Sequence, residues 1–222
     1  MNHFLKLIQT GATAEVADAV ELDPALAEYR DPQGVSALLW AVYTGQTVVR
    51  DFLVARLAAH GVALDVFEAA AIGDDALLSA ILEKDSSAAN MVAGDGWTAL
   101  HLAAAFGTPA SVTTLLSRGS DVNAVSENAQ RNQPLHAVVA LGRNRETIEI
   151  LLVHGANADA TQVGGYTPIF SAAAANRMDL AELLLAHGAN PHHKNDEGKT
   201  PAEYARQRGH AEIADWLESL PQ

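Results

Sequence analysis

Asp95-Gly-Trp-Thr-Ala-Leu-His-Leu-Ala-Ala-Ala-Phe-Gly107 is the stretch that decides how this 222-residue chain folds, and it runs on through Ser111-Val-Thr-Thr-Leu-Leu-Ser-Arg-Gly119 to Ala124. The same kind of segment opens at Thr98, Gln133, Thr167 and Thr200, at intervals of 35, 34 and 33 residues. A fixed period of that length marks a row of small units, each too thin to bury its own apolar face alone. The local physics of the unit is readable. In Tyr166-Thr167-Pro168 and Lys199-Thr200-Pro201 the Thr hydroxyl can cap the first N–H groups of a helix. The Pro at its first position has no N–H to leave unsatisfied. Gly107 and Gly209 stand where a left-handed residue would end the first helix, and Gly119, Gly155 and Gly188 stand likewise after the second. Arg118, His154 and His187 precede those glycines, at the negative end of the helix dipole. The unit therefore reads as helix, tight turn, helix, and a polar segment such as 190–198 that turns into the next unit.

Composition agrees with a stack and excludes several chemistries. Hydrophobic residues make up 49% of the chain but aromatics only 5%. Small side chains let neighbouring helices approach closely, as a stacked helical array requires. There is no cysteine, which removes disulfides, thiolate metal sites and thiol nucleophiles. The opening Met1–Thr10 carries one Lys and too short an apolar run for a secretory leader. No segment approaches the roughly 18 apolar residues of a membrane span. These features give a cytoplasmic expectation with no membrane association. The net charge of −13 leaves no basic stripe for a phosphate backbone, so no nucleic-acid partner is expected.

Taken in order, the chain gives units at 2–23, 31–60, 64–90, 93–124, 127–160, 163–193 and 196–219. The first lacks its turn segment, as a terminal cap would. The second, Asp31-Pro-Gln-Gly34-Val-Ser36-Ala-Leu-Leu-Trp40-Ala, has Ser where Thr is usual. The third follows abruptly. From Gly61 to Ala69 is 8 residues, whereas the equivalent Gly155 to Ala172 and Gly188 to Ala205 are 17 each, so there is no room for a hairpin. A break or change of stacking is expected near 58–66. The fifth unit departs with Gln133 for Thr and Arg131 for the turn Gly, and carries one extra residue near Arg143–Glu146. The seventh, with Glu203, Arg206 and Arg208 on its first helix, reads as a C-terminal cap with one polar face.

These residues resemble ankyrin repeats over nearly the whole chain, strongly over 93–219 and more weakly over 2–90. The resemblance implies an all-α solenoid of stacked helix-turn-helix units with short β-hairpin turns projecting to one side. It further implies a concave face that binds proteins and no catalysis by the repeats themselves.

His101 and His136 occupy the His of the repeat motif, which the family uses to bond the backbone of a neighbouring loop; that role is expected here rather than a titrating or metal-binding one. His187, His192, His193 and His210, with Asp196 and Glu197, lack the helical spacing of a metal site, so no metal is expected. Gly94-Asp-Gly96 lacks the third glycine of a dinucleotide fingerprint, and no phosphate loop or nucleophile elbow occurs. No catalytic residue and no cofactor is expected.

The positions the repeat leaves free, turn residues and the ends of first helices, are Gln33, Val35, Tyr43, Trp97, Phe106, Asn132, Leu141, Tyr166, Lys199 and Arg208, with Ala105 and Gln207 beside them. Aromatic rings at nominally exposed positions suggest an apolar binding strip centred on Trp97 and Tyr166. Trp40 falls one helix position inward and is expected in the core. The functional expectation is a monomeric, non-catalytic protein-interaction scaffold. The alternative is a regulatory or inhibitory subunit that masks an enzyme or toxin.

Overall fold

The structure, a computed structural model, describes residues 2–141 and 144–221. Arg143, beside which the extra residue of the fifth unit was expected, lies outside them. The described residues form fourteen α-helices in seven successive pairs: α1 (His3–Thr10) with α2 (Thr13–Leu22), α3 (Ala37–Tyr43) with α4 (Thr47–Ala59), α5 (Val66–Ile72) with α6 (Asp75–Lys84), α7 (Ala99–Phe106) with α8 (Pro109–Ser117), α9 (Pro134–Leu141) with α10 (Arg145–Val153), α11 (Pro168–Ala174) with α12 (Met178–Ala186), and α13 (Pro201–Gln207) with α14 (Ala211–Ser219). Short 3-10 turns follow α2 at Pro24–Glu28 and α6 at Ser86–Asn90. The first helices touch in sequence order from α1 to α13, the contact expected of an all-α solenoid.

Helices this short need their ends satisfied, because the unpaired N–H groups of the first turn are a large fraction of the whole. Ser36 caps α3, Thr98 caps α7 and Thr108 caps α8. Asp65 with Glu68, and Thr200 with Glu203, form reciprocal capping boxes on α5 and α13. Thr167 departs from the expected role. Its side chain makes no cap bond, and its buried Oγ1 has no protein partner.

The glycines after the second helices are left-handed, with φ of 87° at Gly119, 90° at Gly155 and 91° at Gly188. Gly209 is left-handed too, but Gly107 is not: its φ is −79°. Gly107 is needed for space instead, since a Cβ there would collide with the carbonyl oxygen of Ala70 in the preceding pair. The left-handed turn of the sixth pair is made by Asn176, at φ 54°.

Among the described residues five hairpins project from the array. Asp31, Ala93, Ser126, Gln162 and Asn195 each donate a backbone N–H across the turn, to Val35, Trp97, Asn132, Tyr166 and Lys199 respectively. Consecutive hairpins are tied tip to tip by Glu127 N–H to Gly96 O (2.8 Å), Val163 N–H to Gln130 O (3.0 Å) and Asp196 N–H to Gly164 O (3.0 Å). The third pair has no hairpin, so the hairpin of the second pair lies directly against that of the fourth. A Cβ on Gly94 would overlap the carbonyl oxygen of Gln33. In the space a hairpin would have filled, Arg30 reaches the capping box of α5, with Nη2 2.9 Å from Asp65 and 3.1 Å from the buried Glu68.

The buried apolar side chains sort into two clusters. One runs from Phe4 to Leu57, the other from Val35 to Leu217. Trp40 and Ile72 pack against both. Trp40 is half-buried, with its indole N–H donating to Asp31 at 3.0 Å, so it sits at the border of the core rather than within it. The second cluster owes its closeness to alanine: Ala69, Ala70 and Ala71 on α5 and Ala103 and Ala104 on α7 are buried where the two helices pack. In the same cluster Leu100, Leu102, Leu115 and Leu135 are wholly enclosed, each such side chain contributing about 1.5–3 kcal/mol.

Candidate functional site

The absent hairpin of the third pair sets up the most distinctive surface of the molecule. It lets Tyr43, at the end of α3, reach past α5 to the fourth pair, where its hydroxyl donates to Asp95 Oδ2 at 2.5 Å. Its ring lies 5.4 Å from Phe106 and 6.4 Å from Trp97, and Trp97 stacks on Phe106 at 6.2 Å and on His101 at 5.7 Å. All three rings are half-buried. With Asp95 they form one side of a depression of about 330 Å³, closed on the other side by Asn128, Ala129 and Gln130 at the tip of the next hairpin.

Asp95 is half-buried and makes no ion pair among the described residues. Its Oδ1 accepts the Trp97 backbone N–H at 3.2 Å, which folds the hairpin tip and fixes the carboxylate at the mouth of the depression. Burial and the hydrogen bond to Asp95 push the Tyr43 hydroxyl well above the ordinary tyrosine range, so it remains a neutral donor.

A second aromatic group lies between α11 and α13. Tyr166 meets Phe170 at 5.3 Å and Tyr204 at 5.5 Å, and the Arg208 guanidinium lies 4.7 Å over the Tyr204 ring. Together with Ala140, Ser171 and Ala174 they line a depression of about 400 Å³. The expected surface residues thus fall into two groups, Tyr43 with Trp97 and Phe106, and Tyr166 with Arg208.

The others are separate. Gln33 and Leu141 are exposed, and Lys199 pairs with Glu197 at 2.8 Å. Val35 and Asn132 do not reach the surface. Val35 points down from its hairpin into the core. Asn132 folds back so that its Oδ1 accepts the Ser126 hydroxyl at 2.8 Å, which fixes the hairpin of the fifth pair. Ala105 is also buried, on the helix-packing face of α7.

Asp95, Asn128, Ala129, Gln130, Phe170 and Tyr204 complete the two depressions and were not singled out from the sequence. The position of 128–130 at a hairpin tip was the available signal for three of them.

The motif histidines hold neighbouring repeats together. His101 Nδ1 accepts from the Thr98 backbone and hydroxyl, and Nε2–H donates to Asn132 O at 3.1 Å. Burial pushes its pKa down to about 4, against a smaller opposing effect from that hydrogen bond. His136 repeats the arrangement with Ala160 O at 3.0 Å, and burial lowers its pKa too. Of the C-terminal histidines, His192 contacts Leu220 O and His193 contacts Gly165 O. Among the described residues no three His, Asp or Glu side chains converge as a metal ion would require. No described helix is long and apolar enough to cross a membrane.

The comparisons with known proteins agree with this architecture. The family model "Ankyrin repeats (3 copies)" matches residues 66–162 and 135–219, together more than half of the chain. The B-cell lymphoma 3 protein homolog of Mus musculus is 36% identical over 86 residues, which is 39% of this chain and 19% of that protein. The probable E3 ubiquitin-protein ligase XBOS31 of Oryza sativa subsp. japonica is 42% identical over 94 residues, 42% of this chain and 20% of the relative. The nuclear factor NF-kappa-B p105 subunit of Gallus gallus is 36% identical over 116 residues, 51% of this chain and 12% of the relative. The matched segments thus span a fifth or less of these relatives. Period, helix pairs, hairpins and the family model converge, and the chain belongs to the ankyrin-repeat family, whose domains mediate protein–protein interaction.

Proposed function

We propose that the chain is a non-catalytic, monomeric scaffold of the cytoplasm that binds a protein partner along the face carrying its first-helix ends and hairpins. The observation that supports this most directly is the half-buried aromatic group Tyr43, Trp97 and Phe106 around an open depression. Aromatic side chains bring large contact area at little entropic cost, and they dominate the energetics of protein interfaces. The group at Tyr166, Phe170 and Tyr204 extends the surface with a cation at its edge, Arg208. A net charge of −13 favours a protein with a basic patch over a polyphosphate.

The test is affinity capture from native lysate with the full chain, followed by mass spectrometry and a binding measurement on the purified partner. Three proteins are compared: the natural chain, Trp97→Ala with Tyr166→Ala, and Ala129→Trp. The double variant removes packed, half-buried rings, so its melting temperature is measured alongside. Ala129 is exposed, and Ala129→Trp fills the first depression without removing a contact. The same partner should be lost or weakened with both. Full binding by both variants would move the interface elsewhere.

A further inference from the structure

The first depression has a composition that points to one kind of group. Its floor is aromatic, its one formal charge is the Asp95 carboxylate, and its far wall carries the amide side chains of Asn128 and Gln130. The half-buried Asp31, Asp75 and Asp159 likewise make no ion pair among the described residues, but of these four acids it is Asp95 that lines the aromatic depression. Glu68 and Asp65 share Arg30, whereas among the described residues Asp95 is met by a neutral hydroxyl and a backbone N–H. A partly desolvated carboxylate beside the negative faces of three rings creates a local field that favours a positive group with an apolar stem.

Building on the protein-binding reading above, we propose that this depression receives the side chain of a lysine from a basic segment of the partner, with the ammonium at Asp95 and the methylenes on Trp97 and Phe106. Lysine fits better than arginine because of how Asp95 is already used. Each of its oxygens accepts one bond, Oδ2 from Tyr43 and Oδ1 from the Trp97 amide. Each oxygen therefore keeps one lone pair, and a guanidinium fork would have to take both at once, beside the bonds already there. A guanidinium fork gains most from a free bidentate edge, whereas a point-like ammonium needs one acceptor and an aromatic surface. The volume of about 330 Å³ accommodates one such side chain, and the exposed Ala129 and Gln130 leave its mouth open.

The experiment is a titration of the ¹⁵N-labelled full chain, read at the indole N–H of Trp97 and the side-chain amides of Asn128 and Gln130. The probes are the end-blocked peptide Gly-Ser-Lys-Ser-Gly, its Nε-acetyllysine form and its arginine form. The lysine peptide should shift these signals saturably, and the neutral acetylated form should bind about five-fold more weakly or worse, the scale of a cation–π contact joined to one exposed ion pair. Asp95→Asn, which keeps the shape and the acceptor for Tyr43, should remove the difference between charged and neutral peptides. Ala129→Leu, which leaves Asp95 in place, should block both.

Equal binding of the neutral peptide, tighter binding of the arginine peptide, or no shift of these signals with any probe would each overturn the assignment. Partner capture separates this from the broader reading. Undiminished capture by Asp95→Asn together with no lysine preference removes the lysine pocket and leaves the scaffold standing.

Discussion

The hydroxyl of Tyr43 lies 2.5 Å from Oδ2 of Asp95, a bond between residues 52 apart that joins the second helix pair to the fourth. In a repeat array each unit ordinarily meets only its neighbours. Here contacts step over a unit, because the third pair brings helices but no hairpin and because α5 is a thin, alanine-rich helix.

Removing that hydroxyl tests how much the crossing holds. Tyr43→Phe keeps the ring contacts with Trp97 and Phe106 and should cost about 1–2 kcal/mol at neutral pH, the range for a part-buried hydrogen bond to a charged acceptor. The folded-state pKa of Tyr43 is raised, first by burial and then by Asp95. Its contribution is therefore complete below the unfolded tyrosine value of about 10 and is lost as pH rises beyond it. Urea unfolding between pH 8 and 11 should show a decline in the natural chain that is shallower in Tyr43→Phe.

The contact between hairpins of the second and fourth pairs predicts a contrast between two glycines. Gly94→Ala would drive a methyl into the Gln33 carbonyl, and since backbone cannot step aside cheaply the loss should be about 2 kcal/mol or more. Gly34→Ala meets nothing within 4 Å and carries only the left-handed penalty at φ 86°, about 1 kcal/mol. Thermal unfolding of the two single variants ranks them. The reverse order would mean that the hairpins are not in contact.

His101 gives an acid-side prediction. Its folded pKa of about 4 lies below the unfolded value near 6.5, so the unfolded chain takes up the proton more readily. Stability is complete above pH 6.5 and falls as pH drops through that value toward 4, by about 3 kcal/mol for the whole shift. His136 moves in the same direction. Histidine NMR should find His101 neutral at pH 5, with the proton on Nε2. A midpoint near 6.5 for His101 would contradict the buried bond to Asn132.

The two buried clusters lead us to propose that residues 2–60 open before the rest. The link between α4 and α5 is short and exposed at His60, Gly61 and Ala63, and the smaller cluster meets the larger through the second pair alone, by Val35, Leu39, Val42 and Tyr43 with Arg30 and the border residues Trp40 and Ile72. Limited proteolysis should cut first between His60 and Leu64, and hydrogen exchange should be faster in α1 to α4 than in α7 to α11. Uniform protection along the array would contradict this.

Much of this architecture was legible in the residues, for identifiable reasons. Thr98 and Thr200 cap helices as their sequence context requires, and the spacing from Gly61 to Ala69 told directly of the absent hairpin. Other features depend on what a neighbour does. Thr167 has the same Thr-Pro context as Thr200, yet its hydroxyl turns from the helix; the missing acidic partner three residues on, Glu203 in the seventh pair but Phe170 in the sixth, accompanies the difference. Val35 and Asn132 share a hairpin with exposed tip residues, but the pleat turns them inward. The meeting of Tyr43 with Asp95 could not be read from either unit alone, since it follows from the shortening of a third.

The omitted hairpin also changes how the surface is addressed. Seven helix pairs are served by five projecting tips, so a macromolecule sliding along the tips passes from Gln33 to Gly94 in a single stride while the helical flank advances by two. Linear order and spatial order part company there, and a substitution in the hairpin of the second pair would alter the footprint offered by that of the fourth without touching any residue between them.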